Sequence, residues 1–175
     1  FGFINAAMAS YLLACIFYFA RAVFKIHNFS RIATIMIAIS FVSHTIHLIN
    51  RWVASQRFPA VSLYETIVFF AWAIVLIYLI LERIYKVKYL EIPVSALAAL
   101  ILGYTSLLDK SIRPLMPALK SNWLIIHVTS YFIGYAAAAL AFLLSITYLF
   151  VSKKSSFSSS FSLLIRVHLY SLLLL

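Results

Sequence analysis

The 175-residue chain is 65% hydrophobic and 10% charged, with a mean hydropathy of +1.06, whereas a soluble domain averages about 25% charged residues. That excludes an ordinary soluble domain, and the apolar runs lack the alternation of barrel strands, which leaves helices as the spanning elements. The net charge of +10 comes from cations standing at the ends of apolar runs; they form no single basic patch, so the pattern speaks against nucleic acid and for the lipid bilayer as partner.

Taken in order, the chain reads as an all-α, polytopic helical membrane protein with about five spans. Residues 2–20 form an uncharged run closed by Arg21 and Lys25. Arg31 opens a second span, 32–50, closed by Arg51 and Trp52. A loop from Val53 to Leu63 carries Arg57, Pro59 and Ser62, and Tyr64-Glu65 then begins a third span, 64–81, which stops at Glu82-Arg83 with Lys86 and Lys88 beyond. Pro93 stands in the first turn of a fourth span, 92–108, where its missing N–H costs nothing. Asp109 to Ser121 holds two prolines and three cations and reads as a loop. The fifth span, 123–151, lies in the longest uncharged run and exceeds the roughly 20 residues a helix needs to cross a bilayer. Lys153-Lys154 and the serine-rich stretch Ser155 to Ser162 follow, then the apolar Leu163 to Leu175, an interfacial helix or the first turns of a sixth span. Residues 1–152 thus make the bundle, and 153–175 a serine-rich cytoplasmic linker with the start of an apolar helix. Both ends fall inside apolar runs and read as cuts in a longer polypeptide.

Alternating spans gather Arg21, Lys25, Arg31, Arg83, Lys86, Lys88, Lys153, Lys154 and Arg166 on one side, and Arg51, Arg57, Lys110, Arg113 and Lys120 on the other. The excess of cations on the first side assigns it to the cytoplasm. Cys15 is the single cysteine. That rules out an internal disulfide, a C-x-x-C thiol relay and a C-x-x-C-H haem-attachment motif within these residues.

Three groups carry candidate chemistry. Trp123 and His127 stand one helical turn apart at the head of the fifth span, so they share a face about 6 Å apart along the axis. Tryptophan favours the headgroup zone. An imidazole beside it could ligate a metal in a flat macrocycle lying along the membrane surface, or close a polar contact between helices. On the second span Ser40, His44, His47 and Arg51 share one face, and the histidine pair could bind a metal ion, line a polar cavity or bond to neighbouring helices. Arg51-Trp52 and Arg57-Phe58-Pro59 combine guanidinium forks with aromatics, suited to carboxylates on a ligand or to an interfacial anchor. Glu65 is expected to cap the third span. Ser130, Gly134, Ala138, Ala141 and Ser145 form a small-residue stripe expected to pack against another helix. No Ser–His–Asp set, phosphate-binding glycine loop or pair of intramembrane carboxylates accompanies them.

Two segments, Arg51-Trp52 … Arg57-Phe58-Pro59-Ala60-Val61-Ser62-Leu63-Tyr64-Glu65 … Trp72 and Leu119-Lys120-Ser121-Asn122-Trp123-Leu124-Ile125-Ile126-His127-Val128 … Gly134-Tyr135, together resemble the CcsA (ResC) type of cytochrome c assembly protein. Gln56 and Val61 depart from it, standing where that family commonly has Gly and Asn. The resemblance covers roughly Arg51 to Val151 and implies the haem-handling half of a cytochrome c synthase (haem lyase), working in cytochrome c biogenesis and haem transport. It implies haem b as ligand or substrate, apocytochrome c as partner, and a ResB/CcsB-type membrane partner or fused half. It implies His127 as an axial ligand of haem iron at the outer face, with Trp123 beside it and Arg51, Trp52 and Arg57 near the propionates. His44 and His47 are secondary metal candidates. The family's second external ligand and tryptophan-rich segment come later in its chain, so this sequence reads as an N-terminal portion or a truncated copy. The expected location is the bacterial inner membrane, with the plastid thylakoid as second choice. Readings from other classes are a structural membrane subunit and a small-solute transporter with His44 and His47 along its path.

Overall fold

The computed structural model describes residues 2–24, 27–87, 90–112 and 122–152. Five helices account for nearly all of them: α1 Gly2–Phe24, α2 His27–Ser55, α3 Leu63–Tyr85, α4 Glu91–Thr105 and α5 Asn122–Ser152. The described residues contain no strand. Four of the five helices are long and apolar enough to cross a membrane, which makes the protein a multi-pass helical membrane protein. Residues 153–175, with Lys153, Lys154 and Arg166, lie outside the described residues, as do Lys25, Lys88, Arg113 and Lys120.

Local chemistry fixes several helix ends. Gln56, in the left-handed region at φ 52°, turns the chain out of α2. Ser62 caps α3 by accepting from the Glu65 N–H, and the Glu65 carboxylate accepts from the Ser62 N–H in return, a complete capping box. Lys86, at φ 53°, closes α3 and donates its N–H to Glu82 O. The capping role expected of Glu65 is therefore present.

The fourth element is shorter than its expected span of 92–108. Its 15 helical residues cover only about 22 Å at 1.5 Å per residue. A single turn at Leu90 and the turns through Leu108 extend the rise, and α4 packs between α1 and α3. Its inner face, Val94, Ser95, Ala98, Ala99 and Leu102, is buried.

Contacts at the two ends of the bundle define an alternating path. Arg21 at the end of α1 pairs with Glu91 at the start of α4, and Tyr18 bonds Thr34 near the start of α2. At the opposite end, Arg51 near the close of α2 meets Glu65 at the start of α3 and the carbonyls of Lys110 and Ser111 beyond α4. Among the described cations, Arg51, Arg57 and Lys110 thus share one end, while Arg21 lies at the other with the close of α3, which carries Arg83 and Lys86.

The buried face of α5 is set by Ala136, Ala137, Leu140, Ala141 and Leu144. It is rotated from the small-residue stripe read in the sequence: Gly134 and Ala141 are buried, but Ser130 and Ala138 are exposed. The bulk of leucine and the smallness of alanine together shape the contact with α3, so residue size alone misplaced its centre.

Candidate functional site

At the Arg51 end, the Glu65 side chain has no exposed surface and both arginines reach it. Arg51 Nε donates to Oε1 at 3.1 Å. Arg57 donates from Nη1 to Oε2 at 2.9 Å and from Nη2 to Oε1 at 3.4 Å. The backbone N–H groups of Val61 and Ser62 donate to Oε2 at 3.0 and 3.2 Å. This is the satisfied, multiply bonded arrangement that a buried carboxylate requires. The remaining forks of Arg51 donate to Lys110 O at 2.9 Å and Ser111 O at 3.1 Å, and its guanidinium lies 4.9 Å above the Tyr64 ring. One side chain therefore ties α2, α3 and the segment after α4 together.

Trp52 stands half-exposed on the same helix end, edge-on to Phe58 with ring centres 5.4 Å apart. Phe58 contacts Phe69, and Phe69 contacts Phe132 of α5, each at 5.4 Å. Stacked Trp72 and Phe41 extend the cluster into the α2–α3 seam, where the Trp72 indole N–H donates to Thr45 Oγ1 at 2.9 Å. Aromatic packing thus connects the loop that carries Arg57 to the fifth helix.

The three candidate histidines have different surroundings. His44 is fully buried, its Nε2 3.2 Å from Val68 O, its Nδ1 without a hydrogen-bond partner and its ring edge-on to Tyr11. His47 shares a hydrogen bond with the Tyr64 hydroxyl at 3.0 Å. Both imidazoles thus point from α2 into α3, as helix-to-helix contacts do. Among the described residues no group of three or more metal-ligating side chains forms around them. His127, in contrast, is exposed on α5, and no described residue hydrogen-bonds its ring. Trp123, one turn earlier, is 77% exposed. One turn later the Tyr131 ring lies 4.4 Å from the imidazole, centre to centre.

The structure therefore assembles the sequence candidates into two sets: Arg51, Arg57 and Trp52 around Glu65 and Phe58, and Trp123 with His127 on the open face of α5. The pairing of Glu65 with the arginines was not read from the sequence. Its signal is the fixed order of two arginines and a glutamate at the close of one span and the head of the next, in a chain with only four acidic residues. Tyr131 was missed as well, although it simply continues the four-residue interval from Trp123 and His127.

Comparison with known proteins shows the family. Residues 60–173 match the family model described as Cytochrome C assembly protein. The chain belongs to the cytochrome c assembly protein family. It is 33% identical over 156 residues to the cytochrome c biogenesis protein CcsA of Pyropia yezoensis, covering 86% of this chain and 49% of that relative. It is 36% identical over 145 residues to CcsA of Cyanophora paradoxa, covering 80% and 45%. With CcsA of Synechocystis sp. it shares 33% identity over 154 residues, covering 85% and 46%. The chain spans about half the length of these relatives. Glu65, His127 and Tyr131 fall inside the matched segment, while Arg51 and Arg57 precede it.

Proposed function

We propose that this chain acts in cytochrome c biogenesis by holding haem b at the outer face of the membrane and presenting it to apocytochrome c. The observation that carries the reading is the environment of His127. Its imidazole is exposed at the head of a long apolar helix and hydrogen-bonded by no described residue, whereas His44 and His47 bond into α3. An axial ligand needs a free ring nitrogen and open space above it. Membership of the cytochrome c assembly family and similarity to CcsA proteins support haem as the ligand.

The chemistry asked of the protein is positioning. An apocytochrome thiol adds across a haem vinyl group: the S–H and C=C bonds break, a C–S bond forms at one vinyl carbon and the proton ends on the other. No electron is gained or lost overall. The described residues offer a ligand for the iron and aromatic surface for the macrocycle, while the thiol supplies the nucleophile. In this reading the haem propionates lie near Arg51 and Arg57, at the end of the bundle that these arginines share with Glu65. A ResB/CcsB-type partner or fused half would complete the synthase. The cation count sets the Arg51 end outside, in a bacterial inner membrane or, as second choice, a thylakoid.

A structural membrane subunit is the second reading, favoured by the helix-bonding roles of His44 and His47. Haem content of protein purified in detergent separates the two. The haem reading expects a Soret band that falls strongly in His127→Gly and persists in His44→Ala. Protein without haem, or haem unchanged in His127→Gly, would support the structural reading.

A further inference from the structure

Resting on the haem reading above, we infer that Tyr131 is a further haem-binding residue, which orients the His127 imidazole and supplies the inner half of the surface on which the macrocycle lies. Trp123, His127, Tyr131 and Tyr135 follow one another at four-residue intervals on α5, each about 6 Å along the axis from the last. His127 is exposed, and Trp123, Tyr131 and Tyr135 are 77%, 43% and 50% exposed, while the alanine and leucine face of the same helix is buried against the bundle.

An interfacial belt does not account for Tyr131. Belts place tryptophan and tyrosine at headgroup level, but Tyr131 already stands about 12 Å along the axis from Trp123 at the helix rise per residue. Within the row, the closest ring contact is His127 to Tyr131, 4.4 Å between centres with planes tilted by 60°. Tyr131 to Tyr135 is looser, at 6.0 Å. A ring packed on one side of an imidazole limits its rotation about the Cβ–Cγ bond, and that rotation sets the direction in which a ring nitrogen can meet a metal.

Coordination geometry then identifies the covered residues. A macrocycle held by the His127 imidazole at the helix surface would lie beside the residues one turn to either side. Trp123 occupies one turn and Tyr131 the other. Tyr135, two turns away, lies beyond its edge and serves as an internal control.

Four variants of the haem-loaded protein, His127→Gly, Tyr131→Leu, Tyr131→Phe and Tyr135→Leu, are purified in detergent. Haem-to-protein ratio is measured as the pyridine haemochrome, and axial ligation is read from the low-spin absorbance and electron paramagnetic resonance signals. Tyr131→Leu is expected to retain about twofold to tenfold less haem, the worth of one aromatic contact, with an altered low-spin signal. Tyr131→Phe keeps the ring and should match the parent, as should Tyr135→Leu. If Tyr131→Leu matches the parent while His127→Gly loses its haem, Tyr131 is removed from the site and the His127 reading stands. Equal losses in Tyr131→Leu and Tyr135→Leu, or a Tyr131→Phe as weak as Tyr131→Leu, also overturn the proposal. Haem unchanged in His127→Gly overturns the underlying reading itself.

Discussion

Replacing Glu65 by alanine is the severest single test of the packing at the Arg51 end. The Glu65 side chain has no exposed surface, and the side chains of the two arginines it pairs with are 10% and 9% exposed. It accepts from Arg51, from both forks of Arg57 and from two backbone N–H groups. Glu65→Ala removes every one of those bonds and leaves two cations nearly dry without their shared counter-ion. Breaking a buried pair from one side costs about 3–5 kcal/mol. For a chain of this size each kcal/mol moves the melting temperature by about 2–4 °C, so a fall between about 6 and 20 °C is expected. Thermal unfolding in detergent, followed by loss of helical circular dichroism or of the monodisperse gel-filtration peak, measures it. Glu65→Gln keeps an oxygen acceptor and most of the shape, and should fall between parent and alanine variant. A Glu65→Ala protein melting within about 2 °C of the parent would refute the claim that this carboxylate fixes Arg51 and Arg57, and through them the junction of α2 and α3.

Three further outcomes are expected. Cysteines at Gln56 and Lys86, placed singly in a Cys15→Ala background, should divide by side: an impermeant thiol reagent on intact cells labels position 56 and spares 86, and the reverse pattern would invert the topology. His44→Ala should lower the melting temperature, because a buried side chain and its bond to Val68 O are lost, yet leave haem content unchanged; haem loss with the fold intact would move the ligand to α2. Tyr64→Phe removes only the hydroxyl that bonds His47 and should cost about 1 kcal/mol, read as a shift of a few degrees in melting. A larger loss accompanied by loss of haem would bring His47 into the site.

The spans were legible in the sequence because each is a long apolar run with charged residues at its ends or just beyond, and crossing lipid leaves helices little alternative. Glu91–Thr105 was overextended because the helix stops at Thr105 while the apolar residues run on through Leu108 as turns. Hydropathy does not distinguish a helix from a following turn of equal polarity. Trp123 and His127 could be paired from spacing alone, since i, i+4 neighbours need no tertiary information. The Arg51–Glu65–Arg57 group could not, because three segments must fold before its charges meet. The small-residue stripe erred for the same reason: which face of α5 is buried depends on the shape of α3, and Ala138 proved exposed while Leu140 is buried.

Imidazole rescue of His127→Gly in the haem-loaded protein tests the central claim most directly. Deleting the side chain leaves a space one imidazole wide on an exposed helix face, next to Tyr131. His127→Gly is expected to lose the low-spin haem signal and cytochrome c maturation together, and millimolar imidazole in the medium to restore part of both. Full maturation with an unaltered haem spectrum in His127→Gly without imidazole would contradict it and leave His127 as a surface residue of the bundle.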